Sequence, residues 1–235
     1  MTLPSGIGIL DRVLDGGLKE GAISHVYGEA ASGKTTFALV FVKQAIRLGM
    51  QTVIINSESS SPIERLEQIT GRSFQGLETL VKVLSPRTFE EQAVLIDDLD
   101  LYARQNTGLV VVDTMTRLYR VSLDDKKTTY AAHRELNRQA GMVKALARNR
   151  GIVVIVLNQV RGKIGEAGGF EPVAKSIMEY WEDYSIRLQI GKKPGERVVE
   201  RLVPNGGLNR CILYLTDDGY ATPAEKLGDL GLHSA

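Results

Sequence analysis

Two hydrophobic rhythms alternate along most of this chain. Short unbroken apolar runs, "QTVIIN" at 51–56, "LVKVLS" at 80–85, "LVVVD" at 109–113 and "GIVVIVLNQ" at 151–159, predict buried strands. Between them lie helical patterns: Phe37–Leu48 with apolar residues at 37, 41, 45 and 48, Pro62–Thr70, Phe89–Arg104, and a long amphipathic stretch from Tyr130 to Arg150. In that last helix Met142, Val143 and Leu146 are expected to pack inward and the basic residues to form a solvated face. Near the N-terminus "GILDRVLDGG" predicts a short helix stopped by Gly16 and Gly17, and Ala22–Tyr27 a β-prone run. Strands separated by helices of this length imply a parallel sheet covered on both faces.

The rhythm changes at about residue 184. "YSIRLQI", "RVVERLV" and "RCILYLT" follow, joined by the turn-rich "GKKPGE" and "PNGGLN". These predict antiparallel strands at the C-terminal edge of the sheet, with Tyr184–Ile190 either at that edge or inside the sheet. With no repeat or linker, the 235 residues are expected to form one α/β domain, 1–235.

Composition narrows the function classes. Lys and Arg number 29 and Asp and Glu 28, so the net charge of +1 excludes a polycationic nucleic-acid binder and leaves only focal contacts. The single cysteine, Cys211, sits in an apolar run and reads as a small buried thiol. His133 and His233 have no metal-ligand company. With neither a basic leader nor an 18-residue apolar span, the chain is expected to be cytoplasmic, with no membrane partner.

The chemistry concentrates at "GEAASGKTT", residues 28–36. It fits G-x-x-x-x-G-K-T between a predicted strand and a predicted helix, the context a phosphate-cradling loop requires; a lysine-bearing glycine-rich turn is the alternative. On the first reading Gly28, Glu29, Ala30, Ala31, Ser32, Gly33, Lys34, Thr35 and Thr36 surround the phosphates of ATP or GTP. Lys34 reaches the β/γ-phosphates, the Thr35 hydroxyl ligates Mg²⁺, and the helix N-terminus adds its positive end.

Ligands in open α/β sheets bind beyond the carboxyl ends of the strands. Asp113 ends one strand there, Glu58 follows another and Gln159 ends a third. Asp113 in that position holds Mg²⁺, or else caps the turn before Thr114. Glu58 orients or deprotonates an attacking water, or belongs to a solvated "SESSSP" loop. Gln159 is placed to sense a γ-phosphate.

Taken together, "SGIGILDRVLDGGLKEGAISHVYGEAASGKTT", the Ser57-Glu58 pair with Glu64-Arg65, "LVVVDTMTRLYR" and "VIVLNQV" resemble the ATPase core of the RecA/RadA recombinase family. Within it, "EPVAK", "KKPGERV" and "TDDGY" are similar to its short archaeal RadB branch, so the likeness covers nearly the whole chain. It implies a RecA-like P-loop fold and weak Mg²⁺-dependent ATP hydrolysis in an accessory role in DNA repair and homologous recombination. Lys34, Glu58 and Gln159 are the implied catalytic residues, Thr35 and Asp113 hold the metal, and Arg65 stacks on the adenine. The implied DNA-facing loops are 117–129 and 160–171. DNA, a main recombinase or a junction-processing nuclease, and a further copy of the chain are the implied partners, at the nucleoid. The core motifs begin within the first twenty residues, which leads us to expect no separate N-terminal DNA-binding domain and no autonomous strand exchange. "NSE" stands where the family has Asp-Thr-Glu, and "ERLVPNGG" lacks the basic run of the branch.

On physical grounds the first loop offers Arg117, Tyr119, Arg120, Lys126 and Lys127, offset by Asp124 and Asp125; the second offers Arg161, Lys163 and Phe170 for base stacking. About four phosphate contacts at a slope near −0.7 each give roughly fifty-fold weaker single-strand binding on a fourfold salt increase. An ordinary solvated face is the alternative. A second class also remains open: a KaiC-like nucleotide-switched interaction module with no DNA role. That group usually carries paired glutamates after the second strand, whereas this chain has Ser57-Glu58-Ser59.

Overall fold

The computed structural model of the protein describes residues 1–123, 126–162, 170–203 and 208–229, and the side chains of 126–128, 208 and 227–229 fall outside that description. The strands are β1 (Thr2–Leu3), β2 (Leu18–Lys19), β3 (Ile23–Gly28), β4 (Gln51–Asn56), β5 (Val81–Leu84), β6 (Thr107–Asp113), β7 (Val153–Gly162), β8 (Phe170–Pro172), β9 (Tyr184–Ile190), β10 (Glu196–Leu202), β11 (Leu208–Thr216) and β12 (Gly219–Ala221). The helices are α1 (Gly8–Val13), α2 (Lys34–Arg47), α3 (Ile63–Thr70), α4 (Phe89–Asp97), α5 (Leu99–Tyr102), α6 (Arg117–Val121), α7 (Lys126–Arg150), α8 (Lys175–Trp181) and α9 (Pro223–Asp229).

One sheet carries the architecture, with strand order β12-β11-β10-β9-β3-β7-β6-β4-β5 and β8 paired to the end of β7. From β9 through to β5 every neighbour is parallel. The turn to antiparallel comes at β10, followed by β11 and β12. Thus β9, expected among the antiparallel strands, runs parallel to β3 and lies inside the sheet rather than at its edge. Its return to β3 uses the crossover through α8, which a hairpin cannot supply.

Alternate residues of each parallel strand feed two cores. Leu109, Val111, Val153, Ile155 and Leu157 join Phe37, Phe41 and Leu39 of α2 on one face. Val110, Val112, Val154 and Val156 join Ile96, Leu118, Leu136 and Val143 from α4, α6 and α7 on the other. The strands are therefore continuous apolar runs because both faces are dry. Leu146 is buried with Val143, whereas Met142, expected inward, is 40 % exposed.

Helix boundaries depart from the expected ones for local reasons. Thr88 caps α4 by accepting the Glu91 N–H at 3.1 Å, and the helix stops at Asp98, so the single helix expected over 89–104 is two. Asp is a poor interior residue, and here it is the N-cap of α5 while Ile96 and Leu99 both stay buried. At the loop, α2 starts three residues earlier than the apolar period indicates, because Lys34, Thr35 and Thr36 form its first turn. Among the described residues no helix is long and apolar enough to cross a membrane.

Candidate nucleotide-binding site

Between β3 and α2 the chain turns through Glu29–Gly33, and two of its residues are left-handed, Ala31 at φ 59° and Gly33 at φ 96°. Glycine is needed at both ends of the turn. A Cβ at Gly28 would come within 2.2 Å of the Leu188 carbonyl oxygen, and one at Gly33 within 2.6 Å of the Tyr220 hydroxyl. No side chain caps α2, so its first-turn N–H groups are left to a ligand. Ser32 Oγ is buried and has no hydrogen-bond partner among the described residues. Lys34 Nζ folds back over the turn, donating to the Gly28 and Glu29 carbonyls at 2.9 and 2.7 Å.

Two neighbouring strands, β4 and β6, end beside this loop; β7, expected to end at Gln159, leaves its pairing with β3 there and runs on to Gly162 against β8. The Thr35 hydroxyl donates to Asp113 Oδ2 at 2.7 Å. Glu58 Oε1 accepts from Thr114 Oγ1 at 3.2 Å and from Gln159 Nε2 at 3.0 Å. Asp113 leads into Thr114 through a cis peptide bond. Ala30, Ala31, Lys34, Glu58, Asp113 and Gln159 line one cleft of about 350 Å³, along with Thr35, Ser60, Thr114 and Val160. Three larger cavities, over α4 and α7, beside β5, and between the end of β5 and α4, lie away from these groups. The charge chemistry singles out the small one.

Burial sets the electrostatics of the cleft. Asp113 is 4 % exposed, and desolvation pushes its carboxyl up from 3.8 to about 6 against the opposing pull of the Thr35 hydroxyl; the Glu58 charge adds to the rise, and Lys34 opposes it. Desolvation lowers the Lys34 ammonium, and Asp113, Glu58 and Glu29 offset it. A hydroxyl and a carboxylate in contact are hard oxygen donors of the type Mg²⁺ takes, and an uncapped helix start with a lysine and an orphaned serine hydroxyl is a cradle for phosphate. The residues present thus fit both groups.

The remaining candidates sort by position. Arg65 on α3 is held by four bonds: from Nε to Thr36 Oγ1 at 3.3 Å, from Nη1 to Gln68 Oε1 at 2.9 Å and the Asp217 carbonyl at 2.7 Å, and from Nη2 to the Thr216 carbonyl at 2.6 Å. Arg117 turns inward, donating to the Ser57 carbonyl at 2.6 Å and standing 3.8 Å from Glu58, so it joins the strand-end cluster rather than an outward loop. Arg120 donates to Gln159 Oε1 at 3.0 Å. Arg161, expected in a glycine-rich loop, sits on a β ribbon formed by β7 and β8 and pairs with Glu171 at 2.9 Å, and Phe170 across from Gly162 is 52 % exposed. Lys163, Asp124 and Asp125 lie outside the described residues, as do the side chains of Lys126 and Lys127.

Some contacts had no warning in the motif. Tyr220 donates to the Gly33 carbonyl at 2.9 Å and Arg197 to the Ala31 carbonyl at 3.0 Å, both from the C-terminal strands. They lie in "TDDGY" and "KKPGERV", stretches notable only for resemblance. His25 was also silent; it is fully buried on β3 and its Nδ1 meets Glu182 at 2.5 Å.

Known proteins bear on this arrangement. A family model described as Rad51 matches residues 1–221. Proteins named "DNA repair and recombination protein RadB" are similar over most of the chain. That of Methanococcoides burtonii is 31 % identical over 213 residues, covering 89 % of this chain and 93 % of the relative. One from Methanococcus maripaludis is 29 % identical, covering 84 % and 96 %. One from Methanothermobacter thermautotrophicus is 28 % identical, covering 80 % and 81 %.

Proposed function

The chain belongs to the Rad51 family, and from that premise we propose that it is an ATP-binding, weakly ATP-hydrolysing accessory protein of DNA repair and homologous recombination. One observation carries the reading: Lys34, Thr35, Glu58, Asp113 and Gln159 come from separate strand ends and one helix start, yet line a single cleft. In this reading residues 1–235 work as one ATPase domain.

The loop N–H groups and Lys34 bind the triphosphate, and Thr35 and Asp113 hold Mg²⁺. Held there, the ion would offset the negative charge that develops on phosphoryl transfer. Glu58 takes the proton of the attacking water, while Thr114 and Gln159 hold its carboxylate in place. Gln159 also has Arg120 on its carbonyl oxygen, so turning its amide to a γ-phosphate exchanges bonds with both Glu58 and Arg120. That exchange links the nucleotide to α6 and to the β7–β8 ribbon, where Arg120, Arg161 and Phe170 meet single-stranded DNA; Lys163, next in sequence after β7, is the further proposed contact. A recombinase, a junction-processing nuclease or a further copy of the chain is the proposed protein partner, in the cytoplasm at the nucleoid.

Thermal unfolding with Mg²⁺-ATP tests the site. At about 100 times its dissociation constant the ligand stabilises the fold by roughly 2.7 kcal/mol, and Lys34→Ala abolishes the gain. Equal stabilisation of the variant would remove the phosphate assignment. Single-stranded DNA binding, with and without a non-hydrolysable ATP analogue, tests the rest; no binding in either condition turns the reading to a nucleotide-switched interaction module.

A further inference from the structure

The two left-handed residues of the loop are the two whose carbonyls are held from the antiparallel strands. Ala31 O accepts from Arg197 Nη2 on β10 at 3.0 Å, and Gly33 O accepts from the Tyr220 hydroxyl on β12 at 2.9 Å. Positive φ is strained for alanine, whose Cβ crowds the backbone there, so Ala31 keeps this shape only if its surroundings impose it. Both holders are themselves anchored. Tyr220 is 9 % exposed within the α2 core, burial pushes its phenol further up so that it stays a donor, and Arg197 is tied through Nη1 to the Glu196 carbonyl at 2.8 Å.

Peptide planarity turns these contacts into control of N–H direction, because each carbonyl shares a rigid plane with the next residue's N–H. Arg197 thereby orients the Ser32 N–H, which closes the turn on the Glu29 carbonyl at 3.2 Å. Tyr220 orients the Lys34 N–H, the first of α2. We propose that Arg197 and Tyr220 are positioning residues that hold the phosphate loop in its nucleotide-binding shape before nucleotide arrives, making the C-terminal antiparallel strands a working part of the site. The inference rests on the nucleotide reading above. A loop that is only fractionally in its competent shape binds with an affinity reduced by that fraction, and this is the quantity to measure.

Calorimetric titration with Mg²⁺-ADP reads it without hydrolysis, and urea unfolding of each nucleotide-free variant confirms that it is folded. Tyr220→Phe, which keeps the ring, and Arg197→Ala each raise Kd about threefold to tenfold, the range of one net hydrogen bond. Ala31→Gly removes the strain that Arg197 offsets, so in that background Arg197→Ala costs less than about twofold. Unchanged Kd in both Tyr220→Phe and Arg197→Ala overturns the proposal. So does a penalty for Arg197→Ala that Ala31→Gly leaves undiminished, since that is the signature of simple charge attraction. Failure of the wild-type chain to bind Mg²⁺-ADP overturns the nucleotide reading itself; normal wild-type binding with unaffected variants overturns this inference alone.

Discussion

Asp113→Asn should make the nucleotide-free protein more stable while removing a ligand of the proposed metal site. The folded carboxyl titrates at about 6 against 3.8 for the free group, because burial disfavours its charge. A folded pKa above the unfolded one means that the native state binds more protons through that window, so stability falls as pH rises from about 4 to about 6. Roughly two units at about 1.4 kcal/mol each amount to some 3 kcal/mol. Asparagine cannot ionise, and its Oδ1 can still accept from the Thr35 hydroxyl. Urea unfolding at a series of pH values, without metal or nucleotide, should therefore show the two proteins alike below about pH 4 and the variant ahead by on the order of 3 kcal/mol at pH 8. Adding Mg²⁺-ATP at pH 8 should reverse the order, since only the carboxylate supports the ion, and wild-type affinity should weaken as pH drops below about 6. A difference between variant and wild type that does not change with pH would refute the desolvation argument, and so would an asparagine variant that is less stable at pH 8 without ligand.

Three further outcomes are expected. Glu58→Gln should lower ATP hydrolysis about 100-fold or more while nucleotide affinity changes little, as single-turnover assays and titration would show; retained hydrolysis would remove the general-base role. With Arg117 engaged at Ser57 and Glu58, the proposed DNA cations reduce to Arg120, Arg161 and Lys163. Three contacts at a slope near −0.7 each give roughly twentyfold weaker single-strand binding on a fourfold salt increase, measured by fluorescence anisotropy, and salt-independent binding would count against the surface. Phe41→Ala removes a fully buried ring of the loop helix, tilted against Phe37 with centroids 5.2 Å apart, at a cost of about 3–5 kcal/mol in chemical denaturation; a loss below about 1 kcal/mol would contradict the packing.

What could be read from the chain alone was whatever local chemistry dictates. A run such as Leu109–Val112 is apolar at every position because both faces of its strand are covered, and the carboxylate that ends it, still buried, lines the cleft. Gly28 and Gly33 mark backbone that no side chain tolerates, and Lys34 and Thr35 follow at fixed spacing on one turn of helix. Strand, loop, helix and a parallel sheet covered on both faces were legible for that reason, whereas the order of its strands was not. Features with no local signature needed the folded chain. The direction of β9 depends on its pairing with β3, about 160 residues earlier, and nothing within Tyr184–Ile190 encodes it. Arg117 and Arg161 look alike as isolated cations, yet one turns in to Glu58 and the other out to Glu171, according to what each strand end brings beside it. Arg197 and Tyr220 reach the loop across 166 and 187 residues. Spacing in sequence carries no distance at that range, because packing alone decides which donor meets which carbonyl.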